Sequence, residues 1–295
     1  MSIENKNLLK IKSLLRKKCP IAISLVGRFY AKYIGFRDVR SYLSKRNYDA
    51  SAPDSLILFS TNRSATQFVE SVLAKIYTQG IGVYIPLNKY LFFADRNADE
   101  HFLDANYMRE MMETRGYFYG QQGPFSDLKP FQGFHKIAVI RDPRDLVVST
   151  YHSIASAHVP RDQAFVDKIK HVRQLGLESF SREEKYIQPI ENALRQAIIL
   201  KEDESTLFWR YEDLMEDFDG FQNSCQEFIN GKVDDNLSRE ILKMHLGSVN
   251  DGKQVEGRHR RSGEWGQFKK ALTPETVSFL NEKFSPYLER LGYNI

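Results

Sequence analysis

A chain of 295 residues, 42% hydrophobic and 27% charged, is ordinarily globular in make-up and long enough for one large α/β domain with an extension. It holds no run of about 18 apolar residues, which argues against a membrane-spanning helix, and its two cysteines, Cys19 and Cys225, show neither a disulfide framework nor metal spacing, as expected of a protein in a reducing cytoplasm. The net charge of +4 is unevenly spread and comes with no helix-turn-helix, zinc or RNA-binding signature, so nucleic acid is not an expected partner.

Residues 1–50 carry twelve lysines and arginines against Glu4, Asp38 and Asp49, a net +9, which leaves −5 for residues 51–295. The cations alternate with Leu8, Leu9, Leu14, Leu15, Phe29, Tyr30 and Tyr33, a basic, mostly helical extension. Two roles stay open for it: a solvated helical pair packed on the domain edge, or peripheral contact with an anionic membrane surface or an acidic partner. The apolar stretch Cys19–Gly27 is short, and no small-residue cleavage site follows it.

Ser55-Leu-Ile-Leu-Phe-Ser60 predicts a buried strand, and Gln67 to Tyr77 predicts a helix with Val69, Val72, Leu73 and Ile76 on one face. The loop between them, Ser60-Thr-Asn-Arg-Ser-Ala-Thr66, is rich in hydroxyls around one arginine. A strand that feeds such a loop into a helix offers unpaired N–H groups and the positive end of the helix dipole to an anion. Arg63 adds a planar donor, and Ser64 and Thr66 add hydroxyls. An ordinary capped helix after a strand has the same outline. The Gly-x-x-x-x-Gly-Lys-Ser/Thr pattern of nucleoside triphosphate loops is absent, because this loop has no glycine and no lysine.

A second strand, Phe134 to Ile140, runs into Arg141-Asp142-Pro143-Arg144-Asp145. Asp142 is the expected N-cap and Pro143 the first helical residue. Val147, Tyr151 and Ile154 then face inward, and Arg141 stands at the carboxyl end of the strand, where open α/β sheets bind ligands. Residues 155–204 are polar and helical in pattern. A third strand, starting at Ser205, leads into Tyr211-Glu-Asp-Leu214. Stretches 80–130 and 155–204 lie between the strand–loop–helix units and are the expected walls around a substrate.

The string Arg141-Asp-Pro-Arg-Asp-Leu-Val-Val-Ser149-Thr-Tyr-His resembles the 3′-phosphate motif of sulfotransferases that use PAPS (3′-phosphoadenosine 5′-phosphosulfate). The resemblance implies that Arg141 and Ser149 bind the donor's 3′-phosphate. Asn62-Arg63-Ser64-Ala65-Thr66-Gln67-Phe68 is similar to the family's 5′-phosphosulfate loop, Pro-Lys-Ser-Gly-Thr-Thr-Trp. Here lysine is Arg63, glycine Ala65, the second threonine Gln67 and tryptophan Phe68, whose ring would stack on adenine with less area. Tyr211-Glu-Asp-Leu resembles the segment whose tyrosine contacts adenine. Arg261-Ser262-Gly263-Glu-Trp-Gly266-Gln-Phe-Lys-Lys-Ala-Leu-Thr273 is similar to Arg-Lys-Gly-x-x-Gly-Asp-Trp-Lys-x-x-Phe-Thr, a loop that closes over the 3′-phosphate. Lys253, Arg258 and Arg260 make this loop strongly basic.

The resemblance spans residues about 55 to 273. It implies a three-layer α/β/α domain over 51–295 around a central parallel sheet, with PAPS as co-substrate and no metal. The implied reaction is sulfuryl transfer to a hydroxyl or amine. A glycan, a lipid headgroup and a small alcohol or phenol stay open as acceptor. Many relatives carry a histidine base in a Lys-Thr-His-x-Pro strand. Set against Arg115-Gly-Tyr117-Phe-Tyr119-Gly120, that pattern finds no histidine. Arginine-type relatives use a glutamate after the first helix, where this chain has Asp95, Asp99, Glu100 and His101, so Glu100 and His101 are the candidate bases. Two rivals remain: a degenerate sulfotransferase fold that binds nucleotide without turnover, and a nucleotide kinase on a related fold.

Overall fold

The computed structural model describes residues 52–61, 63–79, 82–86, 109, 112–122, 128–157, 163–231, 234–249 and 265–295, without the side chains of 244–249. The basic extension, Glu100 and His101, and Arg261, Ser262 and Gly263 lie outside the described residues.

Strand β1 (Leu56–Ser60) is apolar at every position but the last because both its faces are covered. Leu56 and Leu58 join the core beneath α1 (Thr66–Thr78), and Ile57 and Phe59 join the core on the opposite face. A strand buried on both sides gains from a continuous apolar run rather than an alternating one. With β2 (Val83–Tyr84), β3 (Tyr117–Gln122), β4 (His135–Ile140) and β5 (Thr206–Arg210), it forms a parallel sheet ordered β2-β3-β1-β4-β5. All carboxyl ends therefore open on one edge.

From β1 the chain passes through α1 to β2 and β3 on one flank, then crosses to β4 and β5 on the other. That reversal leaves a crevice outside the carboxyl ends of β1 and β4, where a ligand reaches loops that diverge from each other. Helix α2 (Pro143–His152) follows β4 and passes into a π-helical turn, Ser153–Ala157. Helices α3 (Gln163–Phe180) and α4 (Glu184–Lys201) precede β5, and α5 (Tyr211–Glu216), α6 (Phe218–Phe228) and α7 (Asp235–Val249) follow it. The short α8 (Phe268–Ala271) and α9 (Pro274–Leu291) end the domain. α1, α5 and α6 cover the face of Leu56 and Leu58; α2, α4 and α9 share the core that starts at Ile140. Among the described residues no helix is long and apolar enough to cross a membrane.

At the amino edge of the sheet, the buried Lys136 ammonium bonds Asp203 Oδ2 at 3.1 Å, Ser205 Oγ at 2.5 Å and Phe134 O at 3.1 Å, tying β4 to the start of β5. At the other edge, β3 bulges: two steps along β1 from Leu56 to Leu58 match three along β3 from Phe118 to Gln121. Gly120 sits in the bulge at φ +71°, and a Cβ there would come within 3.0 Å of Glu70 Oε1. Glycine supplies the left-handed backbone at no steric cost. Gly120→Ala should therefore lose about 1–2 kcal/mol, read as a lower urea midpoint with an unchanged m-value.

Candidate active site

The β1–α1 loop is built on two non-glycine residues in left-handed backbone, Arg63 at φ +79° and Ala65 at φ +53°. Ala65 is the N-cap of α1 and has no side chain to cap it, although its carbonyl accepts from Phe68 N at 2.8 Å and Val69 N at 3.0 Å. The remaining first-turn N–H groups and the dipole end of α1 thus face the crevice side of the loop, a geometry suited to an anion. Ser64 is buried, and its hydroxyl bonds Thr61 Oγ1. Thr66 Oγ1 lies 2.8 Å from Ser60 Oγ. Both predicted hydroxyl ligands therefore also brace the loop.

Arg63 reaches across to α2, where its guanidinium donates to Ser153 Oγ at the start of the π-helical turn. Burial lowers its pKa from the ordinary arginine value, which still leaves the group a cation at neutral pH.

The β4–α2 loop folds as its sequence predicts. Asp142 caps α2 by accepting from Arg144 N at 2.9 Å, and Pro143 opens the helix. Arg141, at the end of β4, donates Nη1 to Arg63 O at 3.3 Å and Nη2 to Asp145 Oδ2 at 3.0 Å. Its guanidinium lies 4.8 Å over the ring of Tyr211, the first residue of α5. Ser149, two turns along α2, is partly exposed. The structure thus brings Arg63, Arg141, Tyr211 and the α1 N-terminus together. Phe68 and Tyr211 are both buried at 4% exposure, Phe68 with its ring 5.7 Å from that of Phe218.

Sequence reasoning passed over the groups that hold these residues. Asp145 is buried and accepts from Gly266 N at 2.8 Å and Phe268 N at 3.0 Å as well as from Arg141. The segment that directly follows the Arg261–Gly263 stretch is therefore pinned to α2. Arg144 lies 4.3 Å over the Phe268 ring and donates to Asn281 Oδ1 and Asn294 O, both at 2.8 Å. Glu212 accepts from Asp142 N and from the Tyr293 hydroxyl, each at 3.0 Å. The i, i+4 spacing of Arg141 and Asp145 was the available signal.

The candidate base strand also shifts. Tyr119 is buried, with its hydroxyl accepting from Glu113 N at 2.6 Å. Tyr117 starts β3 at the amino edge, and so does His135 in β4. β3 reaches the carboxyl edge only at Gln121 and Gln122, which are followed in sequence by Gly123-Pro124. β3 itself holds no histidine. Among the described residues no cluster of His, Cys, Asp and Glu could hold a metal.

Two outcomes follow from this geometry. Ala65→Gly relieves a left-handed alanine and should raise stability by about 1 kcal/mol, seen as a thermal midpoint about 2–4 °C higher. Burial pushes the Glu212 carboxyl above its ordinary value, against the pull of its hydrogen bonds to Asp142 N and Tyr293. The folded state then holds this proton more tightly than the unfolded chain. Its contribution is complete below the ordinary carboxylate pKa and is lost as pH rises through the raised one. Urea unfolding across that window should show a shallower fall with pH for Glu212→Gln than for the native protein.

The family model for the sulfotransferase domain matches residues 134–292, more than half of the chain. A mouse sulfotransferase, SULT7A1, solved in complex with PAP, is similar at 16% identity and a TM-score of 0.53, over 80% of this chain and 84% of that one. A retinol dehydratase solved with androsterone and the inactive cofactor PAP is similar at 16% identity and a TM-score of 0.51, over 83% and 82% of the two chains. No curated protein matches the sequence. At such identity the solved structures speak for the fold, and the matched domain speaks for descent: the chain belongs to the sulfotransferase domain family.

Proposed function

We propose that this protein transfers a sulfuryl group from PAPS to a hydroxyl or amine and releases 3′-phosphoadenosine 5′-phosphate (PAP). The observation that carries the reading is the junction of the two loops, where Arg141 donates to the Arg63 carbonyl at 3.3 Å while covering the Tyr211 ring at 4.8 Å. Two arginines, an uncapped helix N-terminus and an aromatic ring converge on the carboxyl ends of adjacent parallel strands. That set suits an adenine nucleotide with phosphates at both its 3′ and 5′ positions. The similar structures named above are PAP complexes, which supports the same ligand.

In this reading Arg141 and Ser149 hold the 3′-phosphate, with Arg261, Ser262 and Gly263 closing over it. Arg63 and the backbone from Ser64 to Phe68 hold the 5′-phosphosulfate, and Tyr211 meets the adenine. An oxygen or nitrogen of the acceptor bonds to sulfur as the bond from sulfur to the 5′-phosphate oxygen breaks, and that oxygen keeps the electron pair. The protein's share is positioning and neutralising the charge that develops on the leaving oxygen. Arg63 supplies the second effect. It stabilises that charge and gives up no proton, because a guanidinium stays protonated at neutral pH. The acceptor is a glycan, a lipid headgroup or a small alcohol or phenol, and the basic extension would bring the enzyme to an anionic membrane surface.

Calorimetric titration with PAP should show binding that Arg141→Ala abolishes and magnesium leaves unchanged; binding that requires magnesium and is matched by ATP would favour a nucleotide kinase instead. Arg63→Ala should lower PAPS turnover about 10²-fold or more, the scale of losing one transition-state donor. Near-normal turnover in that variant would remove Arg63 from the reaction.

A further inference from the structure

β4 and β5 stay in register to their last residues, Ile140 against Arg210. Beyond that pair the two chains part: Arg141 and Asp142 lead into α2, while Tyr211 and Glu212 open α5. A side chain then continues the ladder. Asp142 N donates to Glu212 Oε1 at 3.0 Å. The other carboxylate oxygen accepts from the Tyr293 hydroxyl, also at 3.0 Å, so the group cannot turn without breaking a second bond. Tyr293 is itself buried, and the residues on either side of it are held by Arg210, which donates to Gly292 O, and by Arg144, which donates to Asn294 O.

This bond joins the two positions that carry Arg141 and Tyr211. Asp142 N belongs to the same planar peptide unit as the Arg141 carbonyl, so holding that N–H fixes the plane from which Arg141 hangs. Glu212 directly follows Tyr211 in the chain. One side chain therefore ties the arginine's backbone to the tyrosine's, and the guanidinium lies 4.8 Å over the ring. In a nucleotide the base and the 3′-phosphate hang from one ribose ring, which keeps their separation within narrow limits. A site that grips both must hold its two contacts at a matching distance, and a misplacement of about 1 Å at a positioned group is costly.

We propose that Glu212 is a positioning residue that sets the spacing between the 3′-phosphate and adenine contacts. It thereby sets the preference for a nucleotide phosphorylated at both 3′ and 5′ positions over one that has the 5′-phosphate alone. This rests on the PAPS reading above. Glu212 acts through the Arg141 peptide rather than on the ligand, and Tyr293 keeps its carboxylate aimed at Asp142.

Calorimetry on the full chain would compare PAP with adenosine 5′-phosphate, which lacks the 3′-phosphate. Glu212→Ala should weaken PAP about tenfold, the size of one lost hydrogen bond, and leave the affinity for adenosine 5′-phosphate unchanged. Glu212→Gln, whose amide oxygen accepts from Asp142 N in the same way, should bring PAP binding back to near the native level. A residue needed only for the fold would weaken both nucleotides alike. Tyr293→Phe keeps the ring and releases the carboxylate. It should show the same selective loss at about threefold, and it carries the test if Glu212→Ala does not fold. PAP affinity equal to the native protein's in Glu212→Ala or in Tyr293→Phe overturns the proposal. So does a parallel loss of both nucleotides, and so does a folded Glu212→Gln variant that binds PAP no better than Glu212→Ala. If the native protein binds no PAP, the nucleotide reading itself has failed, and this inference falls with it.

Discussion

The site depends on one buried carboxylate. Asp145 takes a charge-assisted hydrogen bond from Arg141 and two more from the backbone of Gly266 and Phe268, partners that lie 121 and 123 residues further along the chain. A buried charge is tolerated only when it is paired and its lone pairs are used. Here both conditions are met by groups that must also be in place for the crevice to exist. The same atom therefore orients the arginine at the end of β4 and anchors the segment after the Arg261–Gly263 stretch. Removing it would take away Arg141's carboxylate partner, a loss on the order of 3–5 kcal/mol for a broken buried pair.

Around this point the chain's own C-terminus acts as a brace. Arg144 donates to Asn294 O and Arg210 to Gly292 O, while the Tyr293 hydroxyl reaches Glu212, whose other oxygen holds the Asp142 N–H. The β4–α2 loop is thus supported from below by the last turn of the molecule rather than by its neighbours in sequence. That rigidity matters for a group that must present a guanidinium to a phosphate, since small displacements at a positioned charge cost large factors in rate.

The β1–α1 loop shows the opposite economy. Two side-chain-bearing residues, Arg63 and Ala65, are held in left-handed backbone where a glycine would sit without strain. The Ser60–Thr66 and Thr61–Ser64 hydroxyl pairs and the Arg63–Ser153 contact hold this conformation. Local strain of this kind persists only when the surroundings over-determine it, and it concentrates where a backbone must face a ligand.

The sequence alone was enough for what is set by near neighbours. The apolar run of β1, the cap of α2 by Asp142 and Pro143, and the arginine at the end of β4 are local patterns, and the structure has each of them where periodicity and capping chemistry put it. A tertiary structure was needed wherever a residue's role depends on a distant partner. The burial of Phe68 against Phe218 comes from α6, the hub at Asp145 from the far end of the chain, and the place of Gln122 from a bulge at Gly120 that shifts β3 by one residue against β1. A one-residue shift moves side chains to the other face of a sheet, and no local pattern records it, because the register is set by a strand some sixty residues away. Secondary structure answers to spacing along the chain, whereas the site answers to contacts across it.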